Sequence, residues 1–170
     1  MTAVFCTDKI YQTIKKGTGK FSHGFTYVNN ALATGVGKTV LEYVKKNDLI
    51  RNCAGKGKYL LSKLRGLAKE FEIIGDVRGK GLMTAVEFVK NRKTKEPFPR
   101  KIHLAERILQ AALKKGLNLY FCVGFVDDAD GDAVMVAPPY TVTEKEIDEI
   151  IKIFTETILE VQKSLWRKKK

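Results

Sequence analysis

Hydrophobic residues recur at helical spacing in some stretches of this chain and alternate or run on in others, and the two patterns take turns. The most regular stripe is Ile147, Ile150, Ile151, Phe154, Ile158, Val161 and Leu165, which predicts a long amphipathic helix. Thr143 with Glu146 forms a capping box at its start, and Trp166 is expected to anchor its end by packing. A second stripe, Ile102, Ala105, Ile108, Leu109, Ala112 and Leu113, predicts a helix over Lys101 to Lys115, stopped by Gly116. Between Ile73 and Val89 the period falls to two, with Leu82, Thr84, Val86 and Phe88 on one face and Met83, Ala85, Glu87 and Val89 on the other. That predicts two strands meeting at the Gly79-Lys80-Gly81 turn. Leu117 to Val123 and Ala133 to Ala137 read as another pair, joined through the acidic turn Asp127 to Asp132, and Pro138-Pro139 stops the second. Asn91 to Arg100, with Pro97 and Pro99, reads as a loop. Residues 73–165 therefore predict β-β-α-β-β-α, a sheet with helices on one face and a core of its own.

The first part of the chain reads differently. Ala3-Val4-Phe5-Cys6 predicts a short strand leading into a helix from Asp8, a fair N-cap, to Lys15. No sheet partner lies nearby in sequence. Asn30 to Lys46 carries Leu32, Val36, Val40 and Val44 near helical spacing among small residues, a helix suited to being covered by another element. Asp48 then caps a long helix to about Glu70, with Ile50, Cys53, Gly57, Leu60, Leu61, Leu64, Leu67 and Phe71 on one face. Residues 1–47 look like a piece of a larger domain, 48–72 a connecting helix, 73–165 a small C-terminal domain and 166–170 a basic tail.

Composition narrows the function. The 170 residues carry 31 Lys and Arg against 19 Asp and Glu, a formal charge of +12. The cations are spread through amphipathic segments, and only Arg167 to Lys170 forms a run. No helix-turn-helix or RNA-binding signature accompanies them, so a nucleic-acid binder is disfavoured. Cys6, Cys53 and Cys122 are widely spaced and form no Cys/His ligand pattern, which predicts reduced thiols and no zinc site. There is neither a signal-like apolar run nor a stretch long enough to span a membrane. The expectation is a soluble cytoplasmic protein without nucleic-acid or membrane partners.

The candidate chemistry concentrates in Phe21-Ser22-His23-Gly24-Phe25-Thr26-Tyr27. Gly24 permits close backbone approach, Thr26 brings a hydroxyl with backbone N–H groups beside it, and a helix N-terminus follows; together these suit a phosphate. Other motifs carry less. Gly35-Val36-Gly37-Lys38-Thr39 resembles the end of a P-loop but has Leu32 where the first Gly belongs. Gly79-Lys80-Gly81 lacks the third Gly and the helix of a dinucleotide fingerprint. The acidic turn lacks the late Glu of a calcium loop. Arg78 beside Asp76 reads as a structural ion pair. His103 reads as a surface or boundary residue with no catalytic role.

The Phe-x-His-Gly-Phe-Thr-Tyr segment, Gly75-Asp76-Val77-Arg78-Gly79-Lys80-Gly81-Leu82-Met83, and Ala137-Pro138-Pro139 with Thr143-Glu144-Lys145-Glu146-Ile147-Asp148 occur in that order. This set resembles the class III pyridoxal-phosphate aminotransferases of the ω-amino-acid and ornithine type, specifically their C-terminal portion. The resemblance implies an α/β fold, the C-terminal part of a fold-type I transferase with an α+β small domain behind long connecting helices. It implies amino-group transfer between an amino acid or amine and a 2-oxo acid, with pyridoxal 5'-phosphate as cofactor. Thr26 is implied as a phosphate ligand, with Phe25 and Gly24 as adjacent backbone, serving a neighbouring subunit across a dimer interface.

The chain also departs from that family. The Schiff-base Lys belongs upstream of the strand matching Ala3 to Cys6, so no catalytic residue is assigned and the chain is expected to be inactive alone. Its partner is expected to be another copy or an N-terminal half, as a split-gene product or a remnant. Where the family often has a carboxylate-binding Arg before Ala-Pro-Pro, this chain has Asp127, Asp128, Asp130 and Asp132, and Asn29-Asn30 replaces the usual His-Pro. The alternative is a non-catalytic interaction module that docks the Asn30 to Lys46 helix on a partner chain.

Overall fold

A computed structural model describes residues 2–167. The chain divides into two units, Met1–Asp48 and Leu49–Lys170.

The first unit contains α1 (Asp8–Lys16) and α2 (Ala31–Lys46), and neither helix has a buried residue. The strand expected at Ala3 to Cys6 does not form: these residues carry no regular structure. A strand needs a neighbour to take its N–H and C=O groups, and among the described residues this unit has no other strand. Thr7 rather than Asp8 is the N-cap of α1, and its side chain makes no capping bond. Asn30 caps α2, its side-chain oxygen accepting from Ala33 N–H at 2.9 Å. The apolar positions of α2 are open to solvent, Leu32 at 78% and Leu41 at 69% exposure.

The second unit holds the core. α3 (Leu49–Glu70) is followed by β1 (Ile74–Lys80), β2 (Met83–Phe88), a 3-10 turn (Arg100–Ile102), α4 (Leu104–Lys114), β3 (Tyr120–Val126), β4 (Asp130–Val136) and α5 (Glu144–Arg167). The strands form one antiparallel sheet in the order β1-β2-β4-β3, which is the predicted β-β-α-β-β-α succession. Val77, Val86 and Val134 stand in register across β1, β2 and β4 and are all buried. Leu60 and Leu64 of α3, Ile108 of α4, and Ile147, Phe154 and Ile158 of α5 complete that core at zero exposure. At roughly 1.5–3 kcal/mol per fully buried large apolar side chain, this cluster is the main force holding the unit together. Thr84, the polar member of the inward face of β2, is satisfied by donating to the Val136 carbonyl at 2.6 Å.

The capping box forms as predicted, with Thr143 N–H donating to Glu146 at 2.8 Å and Glu146 N–H to the Thr143 hydroxyl at 3.3 Å. The side chain of Trp166 lies outside the described residues.

Two details depart from the sequence expectation and a third adds to it. The helix predicted from Lys101 begins at Leu104, because His103 adopts a left-handed conformation (φ = 51°) that separates the 3-10 turn from α4. β3 and β4 extend closer together than predicted and are joined by a tight turn: Ala129 N–H bonds to the Val126 carbonyl, and Asp127 and Asp128 both have positive φ (52° and 58°). That is a type I′ hairpin turn, whose twist matches the strands it joins. Thirdly, α3 meets the β1–β2 turn backbone to backbone. A Cβ on Gly57 would lie 2.2 Å from the Gly81 carbonyl carbon, and Gly81 itself has φ = 56°, so both positions require glycine.

Candidate cofactor-phosphate site

The segment singled out in the sequence lies between α1 and α2. Gly17 and Gly19 close α1, their N–H groups bonding to the Thr13 and Ile14 carbonyls at 3.0 Å, with Gly19 at φ = 67°. The chain then runs without regular structure through the aromatic stretch. His23 stacks edge-on between Phe21 and Phe25, at centroid distances of 5.9 and 4.9 Å. Val28 N–H bonds back to the Phe25 carbonyl at 3.0 Å, which puts Thr26 at the second position of a turn. Asn29 follows with φ = 57°, and Asn30 opens α2.

Gly24, Phe25 and Thr26 are thus brought together on one exposed segment ending near a helix N-terminus. Among the described residues, the Thr26 hydroxyl and the N–H groups of Gly24, Phe25, Thr26 and Tyr27 have no hydrogen-bond partner. Backbone N–H groups beside a hydroxyl suit a phosphate dianion, so the donor set fits the group that the motif implies. Two further features mark the segment. The Asn30 side chain already takes one of the free N–H groups of α2. A Cβ on Gly24 would meet nothing within 4 Å, so crowding within this chain does not account for the glycine.

The second unit positions the other family-like blocks. Asn52 of α3 donates to the carbonyls of Tyr140 at 2.6 Å and Val142 at 3.4 Å, holding the segment after Pro138-Pro139 against α3. Arg78 pairs with Asp76, as expected, and also with Glu87 on the neighbouring strand, both at 2.6 Å. These carboxylates raise the guanidinium pKa, Glu87 first, while Arg78 holds the Asp76 carboxyl below its ordinary range.

The acidic turn is structural in part. Asp130 accepts from Arg100 N–H at 2.7 Å, and the fully buried Asp132 accepts from Ala105 N–H at 2.9 Å. Ala105 is in the first turn of α4, whose N-cap residue His103 makes no capping bond. Asp132 therefore caps α4 from a neighbouring strand. Its Oδ2 is buried without a partner, and burial raises its pKa against the lowering effect of the Ala105 N–H and Arg100. Beside it, Arg100 grips Glu106 through both guanidinium nitrogens and holds that carboxyl at about 2. His103 is exposed, with Nδ1 3.5 Å from Glu106.

The capping role of Asp132 and the contacts of Asn52 and Arg92 escaped the sequence reading. Arg92 donates to the carbonyls of Ile74 at 3.0 Å and Phe71 at 2.5 Å, and to that of Ala68, tying the C-terminal end of α3 to β1. Among the described residues no group of three His, Cys, Asp or Glu converges on a possible metal site, and no helix is long and apolar enough to cross a membrane.

Solved transaminases share this architecture, and the chain has the α/β fold of the C-terminal part of a fold-type I pyridoxal-phosphate-dependent transferase. A transaminase from the marine bacterium Virgibacillus superimposes with a TM-score of 0.86 at 29% identity, covering 94% of this chain and 35% of that one. An (S)-enantioselective omega-transaminase from Thermomicrobium roseum gives 0.81 at 32% identity, covering 91% and 33%. The sequence profile of the family Aminotransferase class-III matches residues 1–158, and the chain belongs to that family. It is 40% identical over 165 residues to the uncharacterized aminotransferase YodT of Bacillus subtilis, covering 97% of this chain and 37% of that protein. It is 34% identical to the adenosylmethionine-8-amino-7-oxononanoate aminotransferase of Methanocaldococcus jannaschii, covering 94% and 33%. The chain thus spans about a third of the length of the relatives it matches.

Proposed function

We propose that this chain supplies the C-terminal portion of a class III aminotransferase that moves an amino group between an amino acid or amine and a 2-oxo acid. The Thr26 hydroxyl, with the N–H groups of Phe25 and Gly24, holds the phosphate of pyridoxal 5'-phosphate on a neighbouring subunit. The cofactor, when bound, acts as the electron sink of the reaction. This chain's part is to fix the phosphate end and to provide the small domain. No lysine here sits where the family places the one that holds the cofactor covalently, so the 170-residue polypeptide alone is catalytically silent.

The observation that carries this reading is the set of unpaired donors at Gly24, Phe25 and Thr26, on an exposed turn, in a chain of the aminotransferase family. The open apolar face of α2 favours the companion expectation of a covering partner chain. It also keeps the non-catalytic docking module as the second reading.

Borohydride treatment of the isolated chain with pyridoxal phosphate is expected to give no stoichiometric adduct. One specifically labelled lysine would overturn the claim of silence. Co-expression with the part of the B. subtilis relative that this chain does not match should restore cofactor absorbance and transamination. Thr26→Ala in that complex should weaken cofactor affinity by about tenfold, as expected for losing a hydrogen bond to a charged group. An unchanged affinity would refute the phosphate role, and a stable complex that never takes up cofactor would favour the docking module.

A further inference from the structure

Phe21, His23 and Phe25 occupy every second position of the segment that leads to Thr26, so along an extended chain their rings share one side. His23 is the middle ring. It meets Phe21 at 5.9 Å and Phe25 at 4.9 Å between centroids, with the planes at 62° and 84°, both edge-on contacts of the kind aromatic rings prefer. Its backbone N–H also bonds back to the Phe21 carbonyl at 3.1 Å. Among the described residues the His23 imidazole nitrogens make no hydrogen bond and no ion pair, whereas Nδ1 of His103 lies 3.5 Å from Glu106.

The stack is not a by-product of core packing. Phe21 is 74% and Phe25 67% exposed, and neither flanking helix has a buried residue. It stands on contacts within the segment itself, and the closer of the two bridges Gly24. Glycine has the freest backbone of any residue, and no other part of the chain crowds this one. The His23–Phe25 contact supplies the missing restraint. With those rings together, the Gly24 and Phe25 N–H groups leave the chain in a set direction, just ahead of the turn that Val28 N–H closes on the Phe25 carbonyl at 3.0 Å.

We propose that His23 is a positioning residue: its ring, set between Phe21 and Phe25, holds the Gly24, Phe25 and Thr26 donors in the arrangement that takes the phosphate, through ring contact and not through its charge or its nitrogens. The proposal rests on the reading of this segment as the cofactor-phosphate site.

The first arm of the test needs no cofactor. In the full chain alone, nuclear Overhauser cross-peaks should join the His23 ring protons to those of Phe21 and Phe25; with two histidines in the sequence, His103→Gln identifies the His23 signals. His23→Ala should lower the 15N order parameters of the Gly24 and Phe25 amides toward the values below about 0.6 that mark flexible backbone, and His23→Phe should keep them at the parent level. The second arm uses the complex co-expressed with the unmatched part of the B. subtilis relative and reads pyridoxal phosphate affinity from absorbance at equilibrium. His23→Ala should weaken it about three- to tenfold, and His23→Phe should stay within about twofold of the parent across pH 6–8, as aromatic contacts of this kind allow.

Missing cross-peaks, or order parameters unmoved by His23→Ala, would overturn the brace whether or not the complex takes up cofactor. An affinity untouched by His23→Ala while Thr26→Ala weakens it would overturn the role toward the phosphate. Loss of affinity in His23→Phe as large as in His23→Ala would overturn ring contact as the cause and make the imidazole nitrogens the working group. If Thr26→Ala itself leaves affinity unchanged, the phosphate reading fails and the role of His23 toward it fails too, while the first arm still decides the brace.

Discussion

Capping of α4 by Asp132 can be tested by separating its hydrogen bond from its charge. Asp132→Ala removes the acceptor and leaves the Ala105 N–H, on a residue with zero exposure, without a partner. Leaving a buried donor unmade costs about 1–3 kcal/mol, and losing an N-cap about 0.5–2 kcal/mol; the two figures describe the same bond, so a net loss of about 1–3 kcal/mol is expected. Asp132→Asn keeps a carbonyl oxygen where Oδ1 sits and removes the charge. An anion at a helix N-terminus contributes about 0.3–1 kcal/mol, and the amide puts an NH2 where the buried Oδ2 has no partner, so a polar atom is left unsatisfied there in either protein. Because it keeps the acceptor for the Ala105 N–H, Asp132→Asn should be more stable than Asp132→Ala at pH 7.

The sign of the pH dependence follows from the same balance. Burial raises the Asp132 pKa above its ordinary 3.8, so the folded state favours the protonated form. That contribution is complete below the unfolded pKa and is lost as pH rises through the folded one. The stability of Asp132→Asn relative to the parent should accordingly rise from acid to neutral pH. Urea unfolding followed by far-UV circular dichroism across that range is the assay. If Asp132→Ala is as stable as the parent, or Asp132→Asn is as damaged as Asp132→Ala at pH 7, the cap described here is wrong.

Arg92→Leu should destabilise the second unit by about 2–3 kcal/mol, since three carbonyls lose a charged donor; Arg92→Lys should recover only part, because one ammonium cannot span Ile74, Phe71 and Ala68, and equal urea midpoints for the two variants would refute the clamp. Asp128→Gly should raise stability by about 0.5–1 kcal/mol, the left-handed turn position suiting glycine, and a lowered thermal midpoint would count against the type I′ turn. Limited proteolysis should cut first within residues 2–48, where neither helix has a buried residue; early cleavage within α3 to α5 would contradict the assignment of the core to the second unit.

What could be read from the sequence was what depends on near neighbours. The Thr143/Glu146 box spans three residues, the alternation of Thr84, Val86 and Phe88 is a local period, and the stripe of α5 repeats along one helix, so all three emerged as expected. Asp132 and Ala105 are 27 residues apart, and Arg92 reaches back 18 to 24 residues to its carbonyls. Nothing in the sequence next to an Asp or an Arg announces such a partner. The Ala3 to Cys6 strand failed for the opposite reason: its local pattern was right, but a strand is a property of a pair. The phosphate site was legible as a donor set in Gly24, Phe25 and Thr26, and became specific only through likeness to a family.

The contact of Gly57 with Gly81 joins two pieces of main chain with no side chain between them to bend or change rotamer. A helix seated on side chains can shift by a fraction of an ångström while they adjust; here that slack is missing. The place where α3 sits on the tip of the β1–β2 hairpin is therefore set by main chain alone, and any side chain larger than hydrogen at either position would have to move the helix off the hairpin.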